Sequence, residues 1–244
     1  MISLDEEVIN ILPLYDLIKD ELKNGYRFVH SESVIAFFER FRNIVDTFTE
    51  ELTEGMKFYR AQLGRNDDEP NCEKMLPHSK KRMIPWKDKA KEGRINPQGI
   101  PCFYMASDLD TAIKEISPKY NEYVSVAEVR IDKKMNIVNM IDPKAKYFGQ
   151  GMRSKDDGRQ FIRKYLNKDF AKPITKTDNR ADYVLTQVIA ELIKREGYDG
   201  IKYMSSVGEG ENIALFDVGI AERLFSDENI SLYQMSDISL TKIL

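Results

Sequence analysis

Across residues 33–52 the apolar positions Val34, Phe37, Phe38, Phe41, Val45, Phe48 and Leu52 recur at spacings of three and four. That period puts them on one face of a helix, with Ser31 or Ser33 to cap its start and Gly55 to end it. A shorter helix is expected over residues 5–22, where Pro13 has to sit at a break or in the first turn. The strongest periodic signal lies at residues 178–196, where Ala181, Val184, Leu185, Val188, Ile189, Leu192 and Ile193 form a broad stripe stopped by Gly197.

The rhythm between these helices is different. Residues 57–61 and 100–106 are short strand candidates, and the second is followed by Ser107 as an N-cap and a helix through Ile116 that Pro118 stops. Residues 123–131 and 136–141 read as further strands, and GIKYM at 200–204 and IALFD at 213–217 as two more, joined by SSVGEGEN. The polar stretch 64–93, punctuated by Pro70, Pro77 and Pro85, reads as a long surface loop of the kind that often serves as a lid or binding segment. Its Lys80-Lys81-Arg82 cluster is equally well a solvated face. Residues 143–173 read as an irregular or partly helical, highly charged insertion. The layout is α+β, a mixed sheet with flanking helices, and it divides into a helical N-terminal extension over 1–55 and a main domain over 56–244. The Phe-rich face of the extension is expected to dock on the main domain or on a second copy of the chain, which makes a homo-oligomer the expected state.

Composition narrows the function classes. With 37 basic and 40 acidic residues the net charge is −3, so no direct nucleic-acid partner is expected. Cys72 and Cys102 stand thirty residues apart, and His30 and His78 form no ligand-spaced pair with them, which argues against a disulfide framework or a zinc site; no metal is expected. The first residues lack a basic segment and a small-residue cleavage site, and no apolar run approaches ~20 residues. A cytoplasmic protein with no membrane partner is the expectation.

Candidate chemistry is sparse when taken residue by residue. Arg60 and Arg94 stand at the edges of predicted elements, where a planar guanidinium can hold a pyrophosphate or simply pair on the surface. Glu115, near the end of its helix between Ile113 and Ile116, is expected to be partly shielded, and a carboxylate there can steady an oxocarbenium-like charge. Tyr104 lies on a strand and faces either a pocket or the core. Ser205 and Ser206 open a loop with Gly208 and Gly210, where hydroxyls and backbone amides meet, or which is only a hairpin turn.

The ordered set FYRA at 58–61, GRINPQGIPCFYMASDLDTAIKEISP at 93–118, YVSVAEVRI at 123–131 and GYDGIKYMSSVGEGENIALFD at 197–217 closely resembles the RES domain, named for its Arg, Glu and Ser residues. The resemblance spans about residues 56–220. It implies an ADP-ribosyltransferase-like α+β fold and a bacterial toxin that depletes NAD, its substrate, as a glycohydrolase or a phosphorylase using inorganic phosphate. Some members modify proteins instead, so protein ADP-ribosylation is an alternative, as is a non-catalytic nucleotide-binding module. By position the family's arginines match Arg60 and Arg94, its tyrosine Tyr104, its glutamate Glu115 and its serine Ser205 or Ser206. Asn212 matches a recurring polar position, and Tyr59 stands beside Arg60 to line the same pocket or face the core. The resemblance thus implies Arg60, Glu115 and Ser205 in the reaction, with Tyr59, Arg94, Tyr104, Ser206 and Asn212 in NAD binding. Thr186, Gln187 and Glu191 resemble a helix of longer RES proteins, and Gln187 is expected to support the site from behind. An antitoxin or immunity protein is the implied partner, although the longer-form features and the extra helical segment argue against pairing with a DNA-binding antitoxin.

Overall fold

The structure is a computed structural model and describes residues 11–66, 75–141, 155–172 and 180–236. Its frame is an eight-stranded mixed sheet: β1 (Thr49–Leu52), β2 (Lys57–Leu63), β3 (Phe103–Ala106), β4 (Tyr123–Arg130), β5 (Met135–Asn139), β6 (Gly200–Met204), β7 (Glu211–Leu215) and β8 (Ile230–Gln234). The spatial order is β1-β5-β6-β7-β3-β2-β4-β8, and every neighbouring pair is antiparallel except β5 and β6. The chain is therefore α+β.

Period-2 alternation sends successive side chains to opposite faces, so the sheet separates two cores. Val138, Ile201, Tyr203 and Ala214 point to one, where α1 (Ile11–Asn24), α2 (Glu32–Arg42), α5 (Lys155–Ala171) and α6 (Val184–Arg195) supply Tyr15, Phe41, Leu166 and Ile189. Ile137, Ile213, Leu215, Phe103 and Met105 point to the other, covered by Met83 of α3 (Lys80–Met83) and by Ala221 and Leu224 of α7 (Ala221–Leu224). The remaining helix, α4 (Leu109–Glu115), follows β3 directly.

Several element boundaries differ from the sequence reading. The stripe over 33–52 is not one helix: α2 ends at Arg42, a 3-10 turn covers Val45–Phe48, and Thr49–Leu52 is strand β1, paired with β5. A spacing of four, such as Phe48 to Leu52, is shared by helical and extended chain, so the stripe continued past the real stop. The Phe-rich face is covered by this chain's own core, with Phe37 and Phe41 at 2% and 1% exposure. Ser107 does not cap α4; Asp108 does, accepting from the Thr111 N–H at 2.8 Å. Ser107 instead accepts from the Glu211 N–H at 2.9 Å and so joins β3 to β7. The strand expected from residue 100 begins at Phe103, because Pro101 precedes it and Ile100 lies in a turn. Of the helix expected over 178–196, residues 178 and 179 lie outside the described residues, Arg180–Tyr183 is a 3-10 turn, and α6 follows it. The stretch 64–93 is not wholly loop, since it holds α3, and residues 143–173 contain α5. Strand β8 had no counterpart in the sequence reading.

The feature that makes the site is a split in the sheet. Strands β2 and β3 pair at Tyr59 and Ala106 alone, then diverge, although β2 stays paired with β4 through Leu63. Among the described residues no helix is long and apolar enough to cross a membrane.

Candidate active site

Where β2 and β3 part, a cavity of about 940 Å³ opens, lined by Tyr59, Arg60, Ala61 and Gln62 on one side and by Tyr104, Met105 and Ala106 on the other. Arg60 spans the divide. Its Nε donates to the Met83 carbonyl at 2.6 Å and its Nη1 to the Tyr104 carbonyl at 2.8 Å, while the guanidinium lies 4.9 Å from the centre of the Phe103 ring. The missing ladder bonds are thus partly replaced by side-chain donors. Burial pushes the guanidinium down to about 10, so it still carries its charge at neutral pH.

After β3 the chain enters α4, which ends at Glu115, whose side chain is exposed to the cavity rather than partly shielded as expected. Its Oε1 accepts from Ser205 Oγ at 2.6 Å and from Asn212 Nδ2 at 2.5 Å. Ser205 follows β6 and is 8% exposed, and its Oγ in turn accepts from the N–H groups of Gly208 at 2.9 Å and Val207 at 3.2 Å. The loop therefore fixes the hydroxyl so that its proton points at the carboxylate. The loop sits so close to α4 that a Cβ on Gly210 would meet Ser107 Oγ and Thr111 Oγ1 at 2.5 and 2.7 Å, and one on Gly208 would run into Thr111 as well. Glycine is needed there for space.

Arg94 is buried at 4% exposure and lies with its guanidinium 4.1 Å from the centre of the Tyr183 ring. Helix α6 holds its segment from behind: Thr186 Oγ1 donates to the Arg94 carbonyl at 2.6 Å, and Gln187 Nε2 to the Gly93 carbonyl at 2.9 Å. Tyr104 is committed through its hydroxyl, which donates to Asn96 Oδ1 at 2.6 Å and accepts from the Ile95 N–H at 3.3 Å. Burial, with the neighbouring Tyr203 hydroxyl second, holds it well above the usual phenol range.

Of the residues singled out in the sequence, Tyr59, Arg60, Arg94, Tyr104, Glu115 and Asn212 line this one cavity, and Ser205 reaches it through Glu115. Ser206 does not join them; it is exposed on the loop and absent from the lining. Sequence reasoning missed Asn96, Tyr203, Lys89 and Trp86, all in the lining. Asn96 carried a signal, because an Asn before Pro inside a glycine-flanked turn is a residue whose side chain often organises the turn. Among the described residues, Arg60, Arg82, Lys89, Lys91, Arg94 and Lys172 face the cavity with Glu92 and Glu115 as the acidic side chains, so that lining is electropositive although the chain is not. Among the described residues no group of three or more His, Cys, Asp or Glu side chains is placed to hold a metal.

The sequence profile of the RES domain matches residues 73–232, more than half of the chain. The chain belongs to the RES-domain family. The matched span contains Arg94, Tyr104, Glu115, Ser205 and Asn212, whereas Tyr59 and Arg60 lie upstream of it and join the site through the β2 edge. A chain in the crystal structure of the M. tuberculosis MbcT-MbcA toxin-antitoxin complex is similar, with 12% identity over 81% of this chain and 93% of that one and a TM-score of 0.43. No curated protein matches.

Proposed function

We propose that this RES-domain protein is an NAD-consuming enzyme that breaks the bond between nicotinamide and ribose. The observation that carries the reading is the Glu115 carboxylate, held at one oxygen by both Ser205 and Asn212 on the wall of an electropositive cavity. As the C–N bond lengthens, the electron pair leaves with nicotinamide, which departs neutral, and positive charge grows on the ribosyl carbon. A carboxylate fixed beforehand beside that carbon stabilises the charge without having to reorient during the reaction. Two donors on one oxygen set the direction of the carboxylate.

Water or inorganic phosphate then attacks the ribosyl carbon and loses a proton to solvent, giving ADP-ribose or its 1-phosphate. Arg94 and the lysines of the cavity supply charge for the pyrophosphate. Arg60 contributes charge without mobility, since its Nε and Nη1 donate to carbonyls across the split. Tyr104 and Asn96 shape the floor. The chemistry asks for neither a protein nucleophile nor a metal. A cell making such an enzyme needs it restrained, so a toxin role with an antitoxin or immunity protein accompanies this reading.

The test is incubation of the purified protein with NAD, with and without phosphate, and identification of products by mass spectrometry beside the Glu115→Gln variant. Nicotinamide release by wild type and a loss of about a hundredfold in the variant is the expected result. Phosphate-independent ADP-ribose means hydrolysis, and ADP-ribose 1-phosphate means phosphorolysis. Equal rates for the two proteins overturn the role of Glu115, and no release by wild type overturns the reading.

A further inference from the structure

Trp86 is the only tryptophan of the chain, and it is 42% exposed in the lining of the cavity. It belongs to neither hydrophobic core. Two contacts nevertheless hold it: its Nε1–H donates to the Lys81 carbonyl at 3.1 Å, and the Lys89 ammonium lies 4.5 Å from the ring centre. A large, rigid aromatic surface displayed to a cavity and fixed by a hydrogen bond and a cation contact gains nothing for the fold by its exposure. The other large aromatics with comparable exposure among the described residues, Tyr26, Phe28, Tyr120 and Tyr233, lie outside the cavity.

Its position relative to Glu115 gives the surface a use. Glu115 is bonded to Ser205 and Asn212, at the end of β6 and on β7, to one side of β3. Trp86 follows α3, which is tied to β2 on the other side of β3 by Arg60 at Met83 and by Arg82 Nη1 at Gln62 Oε1, 3.1 Å. Trp86 and Glu115 line the same cavity, together with the cations Arg60, Arg82, Lys89, Lys91, Arg94 and Lys172. In a dinucleotide cleaved at its nicotinamide end, the group that follows the pyrophosphate and second ribose is the adenine.

We propose that Trp86 is the stacking platform for the adenine ring of the dinucleotide, with Lys89 and Arg82 beside it facing the adjoining phosphates. The inference rests on the NAD reading for the placement of the ribosyl carbon at Glu115, but its test does not require turnover. The indole reports on itself, because no other tryptophan contributes to the fluorescence. In the Glu115→Gln variant, which removes cleavage from the measurement, ADP-ribose is expected to quench the emission saturably, while nicotinamide mononucleotide and ribose 5-phosphate, which lack adenine, leave it unchanged. By calorimetry in the same background, Trp86→Ala is expected to weaken ADP-ribose binding by about tenfold or more and Trp86→Phe by less than about threefold, since base stacking on an aromatic is worth roughly that much.

In the cleavage assay Trp86→Ala should raise KM for NAD with little change in kcat, and leave the kinetics with nicotinamide mononucleotide as they are in the wild type. Cleavage of NAD together with an emission that ADP-ribose does not alter, or an alanine variant that binds ADP-ribose as tightly as its parent, overturns the platform and leaves the NAD reading standing. Quenching by ADP-ribose without any cleavage by wild type does the reverse.

Discussion

Ser205 and Glu115, ninety positions apart in the chain, meet in a 2.6 Å hydrogen bond in which the hydroxyl donates and the carboxylate accepts. The same hydroxyl oxygen takes the N–H groups of Val207 and Gly208, so its one proton is left for Glu115. Ser206, next in sequence, turns outward.

The pair of serines is therefore separable by substitution. Ser205→Ala removes a donor to the carboxylate and is expected to lower kcat for nicotinamide release by about a hundredfold with KM little changed, as a misdirected catalytic group does. Ser206→Ala should stay within about twofold of wild type. Steady-state kinetics on both variants decide it, and equal losses would mean that the loop acts as a unit rather than through one hydroxyl.

The glycine loop is set by space. Gly210→Ala drives a methyl group between Ser107, Asp108 and Thr111. Overpacking of that kind costs about 2–3 kcal/mol, which for a domain of this size is a fall of roughly 5–10 °C in Tm. A thermal melt checks it. An unchanged Tm would show that the loop can lift away, and in that case the Ser205 to Glu115 bond should be lost and activity with it.

Cys102 gives a pH-dependent stability. It is 6% exposed, and burial pushes its thiol up from 9.0 to about 11. Below pH 9 the thiol is neutral in both states and contributes nothing. Between pH 9 and 11 the unfolded chain ionises and the folded chain does not, so stability declines by about 1.4 kcal/mol per unit, up to roughly 2.7 kcal/mol. Urea denaturation in a Cys72→Ser background should show a shallower decline over that window for Cys102→Ala than for its parent. Parallel curves would mean that the thiol reaches solvent in the folded state.

The first fifty-odd residues are expected to be indispensable to the fold. Phe41→Ala at a fully buried site should cost about 3–5 kcal/mol. Deleting residues 1–55 removes α1, α2 and β1 together, uncovering one core and the edge of β5. The deletion variant should show no cooperative melt. A soluble product with a sharp transition would instead support an autonomous main domain at 56–244 and revive the Phe-rich face as a surface for a second copy.

What could be read from the chain follows from how local the cause is. Helix α6 was legible because the stripe Val184, Leu185, Val188, Ile189, Leu192 and Ile193 meets one packed face, and period 3.6 records that directly. Strand β4 was legible because YVSVAEVR is rich in β-branched residues. Strand β1 was not, since TEEL is polar and owes its extension to pairing with β5, more than eighty residues on. Glu115, Arg94 and Tyr104 could be picked out through the family resemblance, but not the hydrogen bonds that aim them, because Asn212 and Asn96 become partners only when β7 and the Gly93 turn close on them. The divergence of β2 from β3 has no residue signature at all; it is a property of two strands and one arginine. Trp86 was passed over because its stretch looked like loop, and loop polarity says nothing about which side chain faces inward.

The bridge from Arg60 to the Tyr104 carbonyl and the two donors on Glu115 draw on β2, on the β3–α4 unit and on the β6–β7 hairpin, which is made late. No truncated or half-synthesised chain ending before residue 212 can assemble the carboxylate with both of its partners. Whatever the protein does to its substrate thereby waits for the β6–β7 hairpin to emerge and close, so the site is a product of the finished sheet and not of any one segment.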